Sequence, residues 1–169
     1  MSGETVEAFG QEAGQKARGH EGKYLTFVLG GEEYGLEILK VREIIGLMEI
    51  TSVPQTPVFI KGVINLRGKV IPVIDLRLKF GMEEAEPTEE TCIIVVDIGG
   101  AMIGILVDTV SEVLHVMADQ IEPAPSFGGS IDTGFILGMG KIKGKVKILL
   151  DIDSVLSAEE LTRAAGFGS

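Results

Sequence analysis

The stretch from Phe59 to Arg77, FIKGVINLRGKVIPVIDLR, decides how the rest of the chain is read. Two runs rich in Val and Ile flank Asn65-Leu66-Arg67-Gly68, a pattern that reads as two strands joined by a tight turn. A related stretch, FILGMGKIKGKVKILLDID, fills Phe135 to Asp153. Phe59 aligns with Phe135, Gly62 with Gly138, Gly68-Lys69-Val70 with Gly144-Lys145-Val146, and Asp75 with Asp151. The spacing is constant, since 135 − 59 and 151 − 75 both give 76. Neither copy carries a plausible nucleophile or a set of metal ligands.

Upstream, the same comparison works again. FVLGGEEYGLEILKVREI, from Phe27, sits above VDIGGAMIGILVDTVSEV, from Val96. Gly30 meets Gly99, Gly35 meets Gly104, Val41 meets Val110 and Glu43 meets Glu112, all 69 residues apart. The step from 69 to 76 is a seven-residue insertion, placed most simply in MADQIEPAPSFGGSID (Met117–Asp132). The chain is therefore an internal duplication of short strands with Gly-marked turns. Each half has about five strands, the scale of a small barrel, and neither half has a large core of its own, so the two are expected to pack together. Gly35 and Gly104 fall inside strand patterns, where a bulge or bend is expected. The expected fold class is all-β, with short helices after Asp75 and Asp151, which read as N-caps, and a C-terminal helix from about Asp153.

The expected organisation is a disordered lead-in over residues 1–22, a single domain of two interleaved barrel subdomains over 23–157, and a helix end and tail over 158–169. Met82–Thr91, MEEAEPTEET, is acidic and contains Pro, which puts the repeat boundary near 81–90. Of the 169 residues, 45% are hydrophobic, enough to build a real core. The formal net charge of −10 argues against a nucleic-acid binder and against an anionic membrane surface, both of which call for clustered Lys and Arg. The N-terminal residues lack the apolar run of a signal peptide, and no apolar run approaches a membrane span. The expected location is cytoplasmic.

Catalytic chemistry finds little footing. His20 lies in the lead-in, and His115 ends a β-like run, where a surface role is expected. Cys92 opens the strand TCIIVVDI and reads as a structural thiol. The pairs Glu32-Glu33, Glu83-Glu84, Glu89-Glu90 and Glu159-Glu160 read as solvated charge, and Asp151 with Asp153 lacks the rest of a calcium loop. GMGKIKGKV misses the phosphate-loop pattern, because Gly138 and Gly144 stand too far apart and Val146, with no hydroxyl, follows Lys145. Lys141, Lys143, Lys145 and Lys147 alternate with smaller or apolar residues and read as the solvated face of a hairpin. No enzyme activity, cofactor or metal is expected. What remains is binding surface: Ile38, Val41, Ile44 and Ile45, repeated by Leu106, Val107, Val110 and Val113, exceed what one strand face can bury and suit a groove between the halves.

With GEEYGLEILKVREI, FIKGVINLRGKVIPVIDLRLKFG, IGILVDTVSEVL and IEPAPSF, the chain resembles the CheW family of bacterial chemotaxis coupling proteins from about Tyr24 to Leu156. Related domains occur in the CheA kinase and in CheV. This chain is too short for a kinase and has no receiver domain after Leu156, so it is expected to be a stand-alone member. The resemblance implies two five-stranded SH3-like barrels around a shared hydrophobic core. It implies a non-enzymatic adaptor, monomeric when free, that joins chemoreceptor cytoplasmic tips to the regulatory domain of the histidine kinase CheA, in arrays at the inner face of the membrane. By the same resemblance Ile38, Val41, Glu43, Ile44, Arg67 and Val110 are receptor-binding, and Arg67, Gly68 and Phe127 are kinase-binding. Two other readings stand beside it: a scaffold for a non-chemotactic array, and a nucleic-acid-binding barrel pair.

Overall fold

The computed structural model describes residues 20–125, 134–156 and 160. The first half contributes β1 (Gly22–Leu29), β2 (Glu32–Glu37), β3 (Val41–Gly46), β4 (Ile60–Leu66) and β5 (Lys69–Asp75), then the one-turn helix α1 (Leu76–Lys79). The second half contributes β6 (Cys92–Ile98), β7 (Ala101–Val107), β8 (Thr109–Val116), β9 (Ile121–Glu122), β10 (Ile136–Ile142) and β11 (Lys145–Leu150), then α2 (Ile152–Val155). The strands form two sheets, in the orders β8-β1-β2-β11-β10-β9 and β3-β6-β7-β5-β4. These are the two SH3-like barrels, and neither belongs to one half of the sequence. The halves exchange their first hairpins: β1–β2 completes the barrel of β8 to β11, and β6–β7 completes that of β3 to β5.

The exchanged hairpins dock through two short parallel ladders. β2 runs beside β11, with Gly35 opposite Leu149. β7 runs beside β5, with Gly104 opposite Val73. These positions are equivalent under the 69- and 76-residue spacings. Neither glycine sits at a bulge, one of the two features expected there; close approach is what requires them. A Cβ on Gly104 would stand 2.8 Å from Ile93 Cγ2, and one on Gly35 would stand 3.0 Å from Leu149 Cδ2. The bulges lie elsewhere: between Leu25 and Phe27 where β1 meets β8, between Val41 and Glu43 where β3 meets β6, between Ile60 and Gly62 where β4 meets β5, and between Ile136 and Gly138 where β10 meets β11.

Three apolar clusters result. The largest is shared: Phe27, Leu29 and Leu36 from the first hairpin meet Ile94, Val96, Ile103 and Ile105 from the second, with Ile74 and Leu150 from the strands between. Each such fully buried aliphatic side chain contributes about 2 kcal/mol. Ile64, Ile71, Val73, Ile93 and Val95 fill the first barrel, and Tyr24, Val116, Ile121, Ile142 and Leu149 fill the second.

Asp75 and Asp151 cap the short helices as their sequence context implies. Asp75 Oδ1 accepts from the Arg77 amide at 2.9 Å, and Asp151 Oδ1 accepts from the Asp153 amide at 3.1 Å. The second helix begins at Ile152 rather than Asp153 and spans four described residues. The lysine face needs correction. Lys141, Lys143 and Lys145 are exposed, but Lys147 is buried and paired with Glu33, while Val146 faces solvent. After the turn at Lys143-Gly144 the strand passes inward, so the alternation of the outer end does not carry through. Glu33 is therefore not simply solvated charge; Glu84 is also paired, with Lys61, and Glu160 with Lys79. The lead-in before residue 20, most of the tail after Leu156 and Phe127 lie outside the described residues.

Candidate docking site

The turn at Asn65-Leu66-Arg67-Gly68 is tight and strained. Arg67 has φ +53° and Gly68 φ +88°, the pair of positive values that a two-residue hairpin turn of type I′ demands. The Asn65 side chain steadies it by accepting from the Gly68 amide at 2.8 Å. The turn projects Arg67 outward, and its guanidinium grips the Glu43 carboxylate on β3, with Nη1 donating to Oε2 at 3.3 Å and Nη2 donating to Oε1. β3 and β4 are the two edges of the five-stranded sheet. The ion pair thus reaches across the gap between edges and closes the barrel on its outer side. Arg67 is the more open partner, 69% exposed against 33% for Glu43, and it holds the Glu43 carboxyl below the usual carboxylate range.

The structure sorts the candidate residues into two groups. Glu43, Arg67 and Gly68 meet on the outside of the first barrel, whereas Ile44, 45% exposed, lies on the other face of β3, opposite Ile94 of the shared core. Ile38, Val41 and Val110 lie against the shared core and are only partly buried there. Sequence reasoning named Glu43 and Arg67 separately but did not pair them, since they are 24 residues apart. It also passed over several exposed apolar side chains, Val70 and Leu39 among them. Val70 stands just beyond the turn on β5, and Leu39 projects almost fully from the 3-10 turn between β2 and β3. Leu39 is flanked by the ion pairs Lys40–Asp153 (2.6 Å) and Arg42–Asp97 (2.7 Å). Arg42 and the Gly100 amide hold the Asp97 carboxyl low. Nothing in a run such as EILKV marks its leucine as exposed.

The second barrel carries the same positions with a looser arrangement. Glu112 and Val113 on β8 correspond to Glu43 and Ile44; Lys143, with φ +53°, and Val146 correspond to Arg67 and Val70. Val113 and Val146 are exposed. At the edge of the second barrel's sheet, Glu122 on β9 is paired with Lys141 on β10 at 2.7 Å.

Titratable groups away from this face serve the fold. Burial pushes the Asp75 carboxyl upward against its capping hydrogen bonds, and burial likewise raises the Cys92 thiol, which is partly buried and unbonded to another cysteine. His115 is exposed on β8. Among the described residues no group of three or more His, Cys, Asp or Glu side chains is placed to hold a metal ion, and no helix is long and apolar enough to cross a membrane.

Two SH3-like barrels with exchanged hairpins, bearing a charged and apolar outer face, define a protein built for docking. The CheW-like domain model matches residues 23–160. The Klebsiella aerogenes chemotaxis protein CheW is 45% identical over 161 residues, 95% of this chain and 89% of that protein. The CheW of Rhizobium meliloti is 38% identical over 136 residues, 80% of this chain and 88% of that protein. A crystal structure of the scaffolding protein TtCheW from Thermoanaerobacter tengcongensis superposes with a TM-score of 0.75 at 39% identity, covering 83% of this chain and 95% of that one. The chain belongs to the CheW family.

Proposed function

We infer that this chain is a chemotaxis adaptor that couples chemoreceptors to the CheA kinase without catalysing a reaction of its own. Family membership over residues 23–160 supports the adaptor role. The observation that carries the assignment of the site is the exposed Glu43–Arg67 pair, with Val70 exposed just after its turn and Ile44 exposed on the other face of β3. An exposed bidentate ion pair next to apolar side chains offers a partner both area to bury and a charge geometry to match, and these chiefly set specificity and register.

In this reading Ile38, Val41, Glu43, Ile44, Arg67 and Val110 receive the cytoplasmic tip of a chemoreceptor. Arg67, Gly68 and Phe127 meet the CheA regulatory domain. The half-buried positions Ile38, Val41 and Val110 then act from the floor of the groove, and Ile44 with the ion pair from its rim. The free protein is a monomer in the cytoplasm, and it reaches the inner face of the membrane only through its partners.

Calorimetric titration of the purified chain against a receptor cytoplasmic fragment and against the CheA regulatory domain tests this directly. Saturable binding to both is expected, with no phosphoryl label passing to the chain from phosphorylated CheA. Failure to bind either partner at concentrations where a CheW relative does so would overturn the assignment.

A further inference from the structure

The duplication gives every position in one barrel an internal control in the other, and the two parallel seams are not alike. Next to the seam between β5 and β7, whose ladder begins at Val73 and Gly104, buried Ile71 and partly buried Met102 belong to the apolar filling of the first barrel. In the seam between β2 and β11, the same two positions hold Lys147 and Glu33, an ion pair whose side chains are 8% and 31% exposed. The difference extends inward. Where the first barrel has Ile64 and Val95, the second has Gly140 and Thr26. Thr26 is fully buried, and its hydroxyl donates to the Glu112 carbonyl at 2.8 Å and accepts from the Glu112 amide at 3.1 Å. The first hairpin is thus tied by side-chain hydrogen bonds to β8, on the side away from β11.

We propose that the second barrel is the yielding one, that it opens at the β2–β11 seam, and that the Glu33–Lys147 pair makes this seam open in preference to β5–β7. Opening the β5–β7 seam would return the apolar surface of Ile71, Met102 and their cluster to water, with no compensation. Separating Glu33 from Lys147 instead lets both charges regain the hydration they lost on burial and frees two long side chains. Thr26 keeps the hairpin on β8 meanwhile, so the opening is local. The first barrel, with the Glu43–Arg67 face, stays closed while the second flexes. A two-barrel adaptor built this way has one rigid docking end and one end that can adjust its shape.

Amide hydrogen exchange on the full chain, read residue by residue by NMR, tests the proposal. Amides in the β2–β11 ladder, around Gly35 and Leu149, are expected to exchange about tenfold or more faster than those around Gly104 and Val73, since local openings are drawn from the less apolar parts of a fold. The double variant Glu33→Met/Lys147→Ile copies the first barrel's residues into the second. It is expected to bring the β2–β11 ladder to the protection of β5–β7 and to leave β5–β7 unchanged. The reciprocal variant, Ile71→Lys/Met102→Glu, is expected to loosen β5–β7. Equal protection of the two seams in the wild-type chain, or a β2–β11 ladder that the first double variant leaves fast, would overturn the proposal; the wild-type comparison decides it even where a variant fails to fold.

Discussion

Arg77 and Asp108 hold the two halves together at a point where a single truncation has a readable cost. Arg77 Nε donates to Asp108 Oδ1 at 2.8 Å and Nη2 donates to Oδ2 at 2.7 Å, while Nη1 reaches the Glu83 carbonyl at 3.0 Å. Asp108 also accepts from the Gly30 amide at 2.9 Å, in the turn of the exchanged hairpin. One carboxylate therefore joins α1, the β7–β8 connection and the β1–β2 turn. The side chains are 21% and 28% exposed, which puts the pair between two limits. Exposed pairs contribute at most about 1 kcal/mol, and removing one partner of a fully buried pair costs about 3–5 kcal/mol. Arg77→Ala is expected to cost about 2 kcal/mol, and in a domain of this size that lowers the melting temperature by about 4–8 °C. Arg77 also holds the Asp108 carboxyl below its ordinary range. A depressed carboxylate stabilises the fold above its unfolded-state pKa, and that stability is lost as pH falls through the folded-state pKa. The wild type should therefore lose stability on acidification more steeply than Asp108→Asn. Thermal melts of the wild type, both single variants and the double variant, followed by circular dichroism from neutral to acid pH, check this. A melting point for Arg77→Ala within about 1 °C of wild type, or purely additive single-variant effects, would refute the reasoning.

Other expectations follow from the same geometry. Arg67→Ala and Glu43→Ala should each weaken binding to receptor fragment or CheA about tenfold or more while leaving the melting temperature within about 2 °C, because the pair lies on the outside of the barrel; unchanged affinity for both partners would remove these residues from the site. Gly104→Ala should cost about 1–3 kcal/mol by overpacking against Ile93, measured by urea unfolding, and Gly35→Ala should cost less because Leu149 is slightly farther off. Fragments 1–86 and 87–169 should each fail to melt cooperatively alone and should regain a single transition when mixed, since each carries the hairpin that the other's barrel needs; independent sharp melting of either would contradict the exchange.

Much of the architecture could be read from the chain because the duplication is written in residues that turns and caps require. Gly68 and Gly144, Gly30 and Gly99, and Asp75 and Asp151 all recur at fixed spacing, and each serves the same local geometry in its own half. The exchange of hairpins was less legible. It depends on which strands meet, and the ladders β2–β11 and β5–β7 join residues far apart in sequence. Lys147 misled for the same reason. Its period-two context is that of an exposed strand, and only its meeting with Glu33 across the β2–β11 seam makes its burial tolerable. At the docking face, turn and strand were readable, and so were Arg67 and Glu43 as separate candidates. Their pairing, and the exposure of Leu39 and Val70, arise from curling the sheet until its edges meet, and local pattern does not report that.

The exchange itself follows from chain lengths. If β1–β2 stayed with its own half, β3 would take the place beside β1 that β8 occupies, antiparallel to β1 and hence parallel to β2. The chain would then have to return along the whole length of β2, about 20 Å at roughly 3.3 Å per residue, between Glu37 and Val41. Four residue steps reach at most about 14 Å, and parallel crossovers generally need a dozen residues or more. The second half is tighter still, with only Asp108 between β7 and β8. Neither hairpin can fold back onto its own barrel, so each crosses to the other. The crossing makes one body of two repeats, and it brings Asp108 of the second half against Arg77 of the first. Short connections thus make the join between the two barrels part of one shared core, so an adaptor of this fold needs no separate interface to keep its two ends together.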